Sequence, residues 1–209
     1  MKGNNMVDNL ARMFLAALLV GATAADAQTL SLLAGWGPNN TTAYMPGLQF
    51  KTNLEKASGG KMTLKISGPE AVPPFEQLQP VSSGAFDMLY THPTYHSKAL
   101  AIAAEILPFG PERLRQSGVW NHIDAYYQKT YNLKLLALVP VGTEGWHCYL
   151  RQPLSPQGDW SGRKIRGVAN HNGIIKQLGG VPVVMPMGDV YSSLEKNVVD
   201  GACAPANVL

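Results

Sequence analysis

Short apolar runs and amphipathic stretches follow one another along the chain, and turn residues separate them. Thr29–Trp36 is an apolar run of strand length. The cluster Gly37-Pro38-Asn39-Asn40-Thr41-Thr42 supplies N-cap oxygens for a helix over Tyr44–Ala57, which Gly59-Gly60 ends. Lys61–Ile66 alternates polar and apolar, as a half-buried strand does. Pro74–Ser83 predicts a helix with Pro near its start and Gly84 after its end, and Phe86–Tyr90 a strand. Pro93–Ala104 and Pro111–Tyr131 predict further helices; in the second, Trp120, Ile123 and Tyr127 share a face.

Lys134–Val141 and Gly145–Leu150 read as strands. A polar loop from Gln152 to Gly162 then leads to a short strand, Lys164–Arg166. The spacing next predicts a helix over Asn170–Leu178, a strand over Pro182–Met185 and a helix over Asp189–Asn197. This order implies an α/β protein with mainly parallel sheets covered by helices, divided near Leu133–Val141. In such folds ligands sit beyond the carboxyl ends of the strands, so residues just after strands carry most weight.

The amino terminus follows a different pattern. Lys2 and Arg12 precede the apolar run Met13–Val20, and Ala25-Asp26-Ala27 closes the segment. A positive start, a short apolar core and an A-x-A site describe a secretory signal peptide over residues 1–27, cleaved before Gln28. The apolar core is far shorter than the ~20 residues that span a bilayer. The mature protein is expected to be exported from the cytoplasm.

Composition removes several classes. Of 209 residues, 45% are hydrophobic and 15% charged, which excludes intrinsic disorder and a coiled coil. The net charge of +3 is scattered, with no basic run to suggest a nucleic-acid partner. Enzyme motifs for nucleophile elbows, dinucleotides, nucleotide phosphates and zinc proteases are missing. His92 and His96 have a zinc-compatible spacing, but Pro93 places His92 ahead of the helix, and no metal or other cofactor is expected. Cys148 and Cys203 both fall on strand candidates, either as small buried hydrophobes or, in an oxidising compartment, as a disulfide.

One segment points to a ligand. Gly162-Arg163-Lys164-Ile165-Arg166-Gly167 puts an Arg at the carboxyl end of a short strand. There it is either a solvated surface Arg or the donor of two parallel hydrogen bonds to a carboxylate. Around it lies an ordered set of landmarks. Phe50–Gly60 with Lys61–Ile66, then Phe75-Glu76-Gln77-Leu78 to Gly84-Ala85-Phe86-Asp87-Met88, are followed by Tyr95 and Leu107-Pro108-Phe109. Lys164-Ile165-Arg166, Leu178-Gly179-Gly180, Val190-Tyr191 with Leu194, and Val198-Val199-Asp200-Gly201 complete the series. Together these resemble the periplasmic solute-binding subunits of TRAP (tripartite ATP-independent periplasmic) transporters, the DctP family, over nearly all of the chain after the leader.

The resemblance implies a two-lobed periplasmic-binding-protein-like fold of type II, lobe 1 over residues 28–133 and lobe 2 over residues 134–209. It implies a non-enzymatic protein that closes around a small organic acid and hands it to the TRAP permease membrane subunits, with Arg166 gripping the carboxylate. The second Arg of many dicarboxylate and sialic-acid binders has no match in Gly145-Trp146-His147, although Arg151 lies nearby, and Ala204 stands where many members carry Asn before Pro205. One Arg and a Trp suit a monocarboxylate with an apolar, keto or aromatic body. Trp146 either stacks on that body or packs the lobe. Strand-end positions add Trp36 and Asn39 after the first strand, Tyr90, Thr91 and His92 at the third, Tyr95 beyond it, and Asn170 after Arg166. Competing readings are a ligand-sensing partner of a membrane receptor and a secreted hydrolase using His147 and Cys148; adjacent strand residues face opposite ways, which disfavours that couple. Family members continue past Asp200-Gly201, so the resemblance implies that the second lobe and the hinge helix are incomplete in this sequence.

Overall fold

The structure, a computed structural model, describes residues 27–96, 110–139 and 145–206. It is a mixed α/β fold with two sheets. The expected signal peptide, all but Ala27, and residues 97–104 of the expected third helix lie outside the described residues. Among the described residues no helix is long and apolar enough to cross a membrane.

The first sheet has the order β2-β1-β3 and is parallel throughout, with β1 Gln28–Ala34, β2 Met62–Ser67 and β3 Met88–Tyr90. β1 enters from solvent at Gln28 and Thr29 and is buried at Leu32, Leu33 and Ala34. Burial on both faces at its carboxyl end is what a central parallel strand requires, and it delivers Gly35 and Trp36 to the top of the sheet. Helix α1, Thr41–Ala57, crosses back between β1 and β2 and lays Phe50 and Leu54 on the Leu32–Ala34–Leu64 cluster. Each fully buried Leu there contributes about 2 kcal/mol. The helix ends at Gly59 and Gly60, whose amides cap the Lys56 and Glu55 carbonyls. Asp87 pins the start of β3: its carboxylate accepts both the amide and the hydroxyl of Ser31 on β1.

Between β2 and β3 the chain makes a 3₁₀ turn, Pro74–Glu76, and helix α2, Leu78–Ser82, rather than one continuous helix. A second 3₁₀ turn, Pro93–Tyr95, follows β3. The helix expected over Pro111–Tyr131 is two, α3 Pro111–Gln116 and α4 Val119–Tyr131. Gly118 at φ +78° breaks it, a conformation that only glycine adopts without strain.

The strand expected over Lys134–Val141 is not a strand at residues 134–139. The Leu135 amide, which a ladder would need, donates instead to Asp124 Oδ1 at 2.8 Å. Lys134 pairs with the same carboxylate, and Leu136 is 58% exposed. The segment is tied to α4, with no strand beside it among the described residues.

The second sheet has the order β4-β7-β5-β6, with β4 Trp146–Leu150, β5 Lys164–Gly167, β6 Val181–Val184 and β7 Gly201–Pro205. β7 runs antiparallel to β4 and parallel to β5. Its first residue must be Gly: a Cβ on Gly201 would stand 2.6 Å from the Tyr149 carbonyl and from Leu150 Cδ2. Helix α5, Asn172–Gln177, covers the sheet through Ile175, which packs with Trp160, Ile165 and Cys203; helix α6, Val190–Glu195, follows β6. Cys148 and Cys203 stand directly opposite across β4 and β7 and form a disulfide. That resolves the two readings of the cysteines and removes the thiolate that a Cys148 hydrolase would need.

Candidate ligand-binding cleft

Both Ile165 and Arg166 on β5 are buried, although successive strand residues point to opposite faces. Ile165 enters the apolar core and Arg166 takes the other face, where it is 2% exposed. Backbone carbonyls hold its guanidinium. Nε and Nη2 donate to Met185 O at 3.0 and 2.8 Å, and Nη1 donates to Cys203 O at 2.9 Å. A guanidinium has five N–H groups, so these three bonds do not exhaust it, and the Tyr95 hydroxyl is also within its hydrogen-bonding reach. No carboxylate of the described residues forms an ion pair with it. Burial pulls its pKa down, and the nearby Tyr95 and Asp189 push partly back. A buried cation without a counter-charge is costly unless something anionic completes it.

Tyr95, 6% exposed, stands beside Arg166 and joins the two sheets, its hydroxyl accepting the Met187 amide at 3.3 Å. Its ring is held between Trp36 at 6.0 Å and Phe75 at 5.1 Å. Tyr90 meets Trp36 edge-on at 5.3 Å. Burial raises both tyrosine hydroxyls, Tyr90 to about 12, so both remain neutral donors and acceptors.

A second line of rings crosses between the sheets. His92, after β3, lies 6.3 Å from Trp146 on β4, and Trp146 lies 4.5 Å from His171. His171 closes a 3₁₀ turn, Ala169–His171, that follows β5, and its Nδ1 accepts the Val168 amide. Asn170 sits beside it in that turn, half-buried. Thr91 turns inward: its hydroxyl is enclosed against Gly35, near Gln77. Asn39 faces an open crevice of about 380 Å³ between the carboxyl end of β1 and the 3₁₀ turn Met187–Asp189; Trp36, Asn40, Glu70, Gly188 and Asp189 also line it.

Of the residues expected from sequence, Trp36, Tyr90 and Tyr95 come together in one ring cluster, with Arg166 behind Tyr95. His92 and Trp146 come together in the other. Three further residues carry no ligand-site signal in the sequence, Gln77 figuring there only in a family landmark. His171 had no strand-end signal beyond its neighbour Asn170. Asp189 read only as a helix start. Gln77, 1% exposed, spends its amide hydrogens on Ala34 O and Val72 O and so fixes the loop below Tyr95.

Burial lowers His92, His96 and His171 from 6.5 to about 4 each. In the folded protein these imidazoles stay neutral, whereas in the unfolded chain they take up protons near pH 6.5. Stability is therefore complete above pH 6.5 and is lost as pH falls toward 4. For His92, the most buried, the drop from 6.5 to about 4 is worth on the order of 3 kcal/mol. Thermal melts from pH 7.5 to 4.5 should show a steep fall, and His92→Gln should flatten it. A melting temperature independent of pH in this range contradicts the neutral assignment.

Comparison with known proteins gives one consistent picture. The model of the family described as bacterial extracellular solute-binding protein, family 7, matches residues 34–209. A TRAP periplasmic solute-binding protein from Pseudoalteromonas atlantica T6c, solved with sodium and pyruvate, is 20% identical with a TM-score of 0.73, covering 86% of this chain and 57% of its own. One from Bordetella bronchiseptica RB50, with copurified calcium and picolinate, is 21% identical with a TM-score of 0.72, covering 86% and 56%. A Bordetella pertussis extracytoplasmic solute receptor binding pyroglutamic acid is 14% identical with a TM-score of 0.66, covering 87% and 62%. The chain thus spans less than two thirds of each of these proteins, and at these identities the likeness establishes the two-lobed fold.

Proposed function

The chain belongs to the bacterial extracellular solute-binding proteins of family 7, and from that premise we propose that it captures a small organic acid on Arg166 outside the cytoplasm and delivers it to the membrane subunits of a TRAP transporter. One observation carries the reading: a buried guanidinium, braced by three hydrogen bonds to carbonyls and flanked by the Tyr95 hydroxyl, has no carboxylate partner among the described residues. Two N–H groups on neighbouring nitrogens match the two oxygens of a carboxylate. The ring clusters on either side supply apolar walls for the ligand body, and Tyr95 and the imidazoles supply neutral polar contacts.

The division into lobe 1 over residues 28–133 and lobe 2 over residues 134–209 puts His92 and Tyr95 on one lobe and Trp146, Arg166 and His171 on the other. Closure of one on the other completes the site. Export follows from the leader, with cleavage before Gln28. Two of these relatives were solved with both a cation and an organic acid bound. Among the described residues no three His, Cys, Asp or Glu side chains gather as a metal site would require.

With a single buried Arg, monocarboxylates should bind better than dicarboxylates. In a thermal-shift panel of pyruvate, picolinate, pyroglutamate, succinate and malate, the first three should raise the melting temperature most. Larger shifts from succinate and malate would overturn the proposal's ligand class.

A further inference from the structure

The Cys148–Cys203 bridge ends at the guanidinium. Along β4 and β7 the Arg151 amide donates to Asp200 O and the Ala206 amide to Gly145 O, in the register that sets Cys148 opposite Cys203. Opposed residues of an antiparallel ladder alternate between bonded and unbonded, so Cys148 and Cys203 form an unbonded pair. Both main-chain polar groups of Cys203 therefore turn away from β4 and toward β5. The β5–β7 ladder stops at Arg166 and Ala202, one residue short of Cys203. The Cys203 carbonyl is thus left for a side chain, and it accepts Arg166 Nη1 at 2.9 Å.

One residue has two grips: its sulfur holds β4 and its carbonyl holds the cation. Met185 O takes Nε and Nη2, so Cys203 is the carbonyl that fixes Nη1. The two halves of the bridge differ in access. Cys203 is 1% exposed and packs with Trp160, Ile165 and Ile175, whereas Cys148 is exposed on the outer strand. Fastening β4 accounts for a crosslink. It does not account for one end seated in the guanidinium's cradle and the other open to a thiol. Exposed disulfides are the ones that exchange.

We propose that the bridge is a thiol-exchange site for a dithiol of the oxidoreductase class, and that its state sets the hold on Arg166. A thiolate of the dithiol attacks Cys148 Sγ, the S–S bond breaks, and Cys203 leaves with the electron pair. The second thiol of the dithiol then displaces Cys148. The dithiol becomes a disulfide, losing two electrons, and its two protons end on the two cysteines. With the bridge open, no main-chain hydrogen bond ties residue 203 to residue 148. Nη1 then loses its fixed acceptor, while Met185 O keeps the opposite edge of the guanidinium. The reduced cleft holds a carboxylate less well, a consequence that rests on the Arg166 reading above.

The probe is dithiothreitol, read by NMR of the isotope-labelled full chain. The Arg166 side-chain N–H signals, identified by their loss in Arg166→Lys, should exchange with water about tenfold faster after reduction. Cys148→Ser/Cys203→Ser should exchange at the fast rate with or without dithiothreitol. The Cys148 thiol in Cys203→Ser should react with dithiodipyridine about tenfold faster than the Cys203 thiol in Cys148→Ser. Equal exchange in the oxidised and reduced protein, unfolding of the whole chain on reduction, or faster reaction at Cys203 overturns the proposal. In calorimetry, whichever of pyruvate, picolinate and pyroglutamate binds should bind about tenfold more weakly to the reduced protein. If exchange quickens while affinity is unchanged, or none of the three binds, the switch at the bridge stands and the Arg166 reading fails instead.

Discussion

Arg166→Ala should raise the dissociation constant for a carboxylate ligand roughly 30- to 4000-fold, the equivalent of about 2–5 kcal/mol for losing one partner of a desolvated, hydrogen-bonded charge pair. The range is large because the site offers no substitute. Among the described residues no other guanidinium or ammonium belongs to the groups that meet Tyr95 and Trp146, and the imidazoles there are neutral. Arg166→Lys should fail nearly as badly. An ammonium is a point charge with three donors; it cannot satisfy Met185 O and Cys203 O and still present two parallel N–H groups. The fold should tolerate both changes better than binding does, since the substitution to Ala also removes a buried charge that no described carboxylate pairs with. Calorimetry with a ligand found in the monocarboxylate panel, beside a melting curve for each variant, reads the two effects separately. Unchanged affinity in Arg166→Ala, with a cooperative melt, would refute the assignment.

Breaking the Cys148–Cys203 bridge should cost about 4 kcal/mol of stability, the loop-closure value for a crosslink between residues 55 apart in sequence. Little else holds β4 to the sheet. It is an outer strand, joined through β7 alone, and Cys148 sits at its middle. Chemical denaturation of the Cys148→Ser/Cys203→Ser protein, compared with the oxidised parent, measures the difference. A change below about 1 kcal/mol would mean that the ladder and the packing of Trp146 hold the strand unaided. Because Trp146 rides on that strand and packs against His171, its fluorescence should report the loss as well.

How much of this was readable beforehand depended on whether the decisive partner was local. β1, α1 and β2 were legible because their apolar faces and the Gly59-Gly60 stop are properties of consecutive residues. So was Arg166, whose place at the end of a short strand after a glycine turn is written in six adjacent letters. The segment Lys134–Val139 was not. Its alternation is that of a strand, but the partner of its Leu135 amide is the carboxylate of Asp124 in a neighbouring helix. The long helix over Pro111–Tyr131 failed at Gly118, where a left-handed backbone is invisible to an apolar count. The cysteine pair depended on the register of two strands far apart in sequence, which no spacing reveals. Asp189 and His171 were hidden for the same reason: each matters through what faces it from another segment.

The bracing of Arg166 has a further consequence. Its two carbonyl partners belong to different strands' ends, one just past β6 and one on β7, while Arg166 itself lies on β5 between them. Hydrogen bonds that share a donor group polarise one another. An anion drawn to the guanidinium would therefore change the grip on Met185 and Cys203 together. Met185 stands two residues before the amide that Tyr95 holds, and Cys203 carries the bridge to β4. On the proposed function, one side chain would sum the charge in the cleft and pass it sideways to three strands, and occupancy would be a property of the whole second sheet.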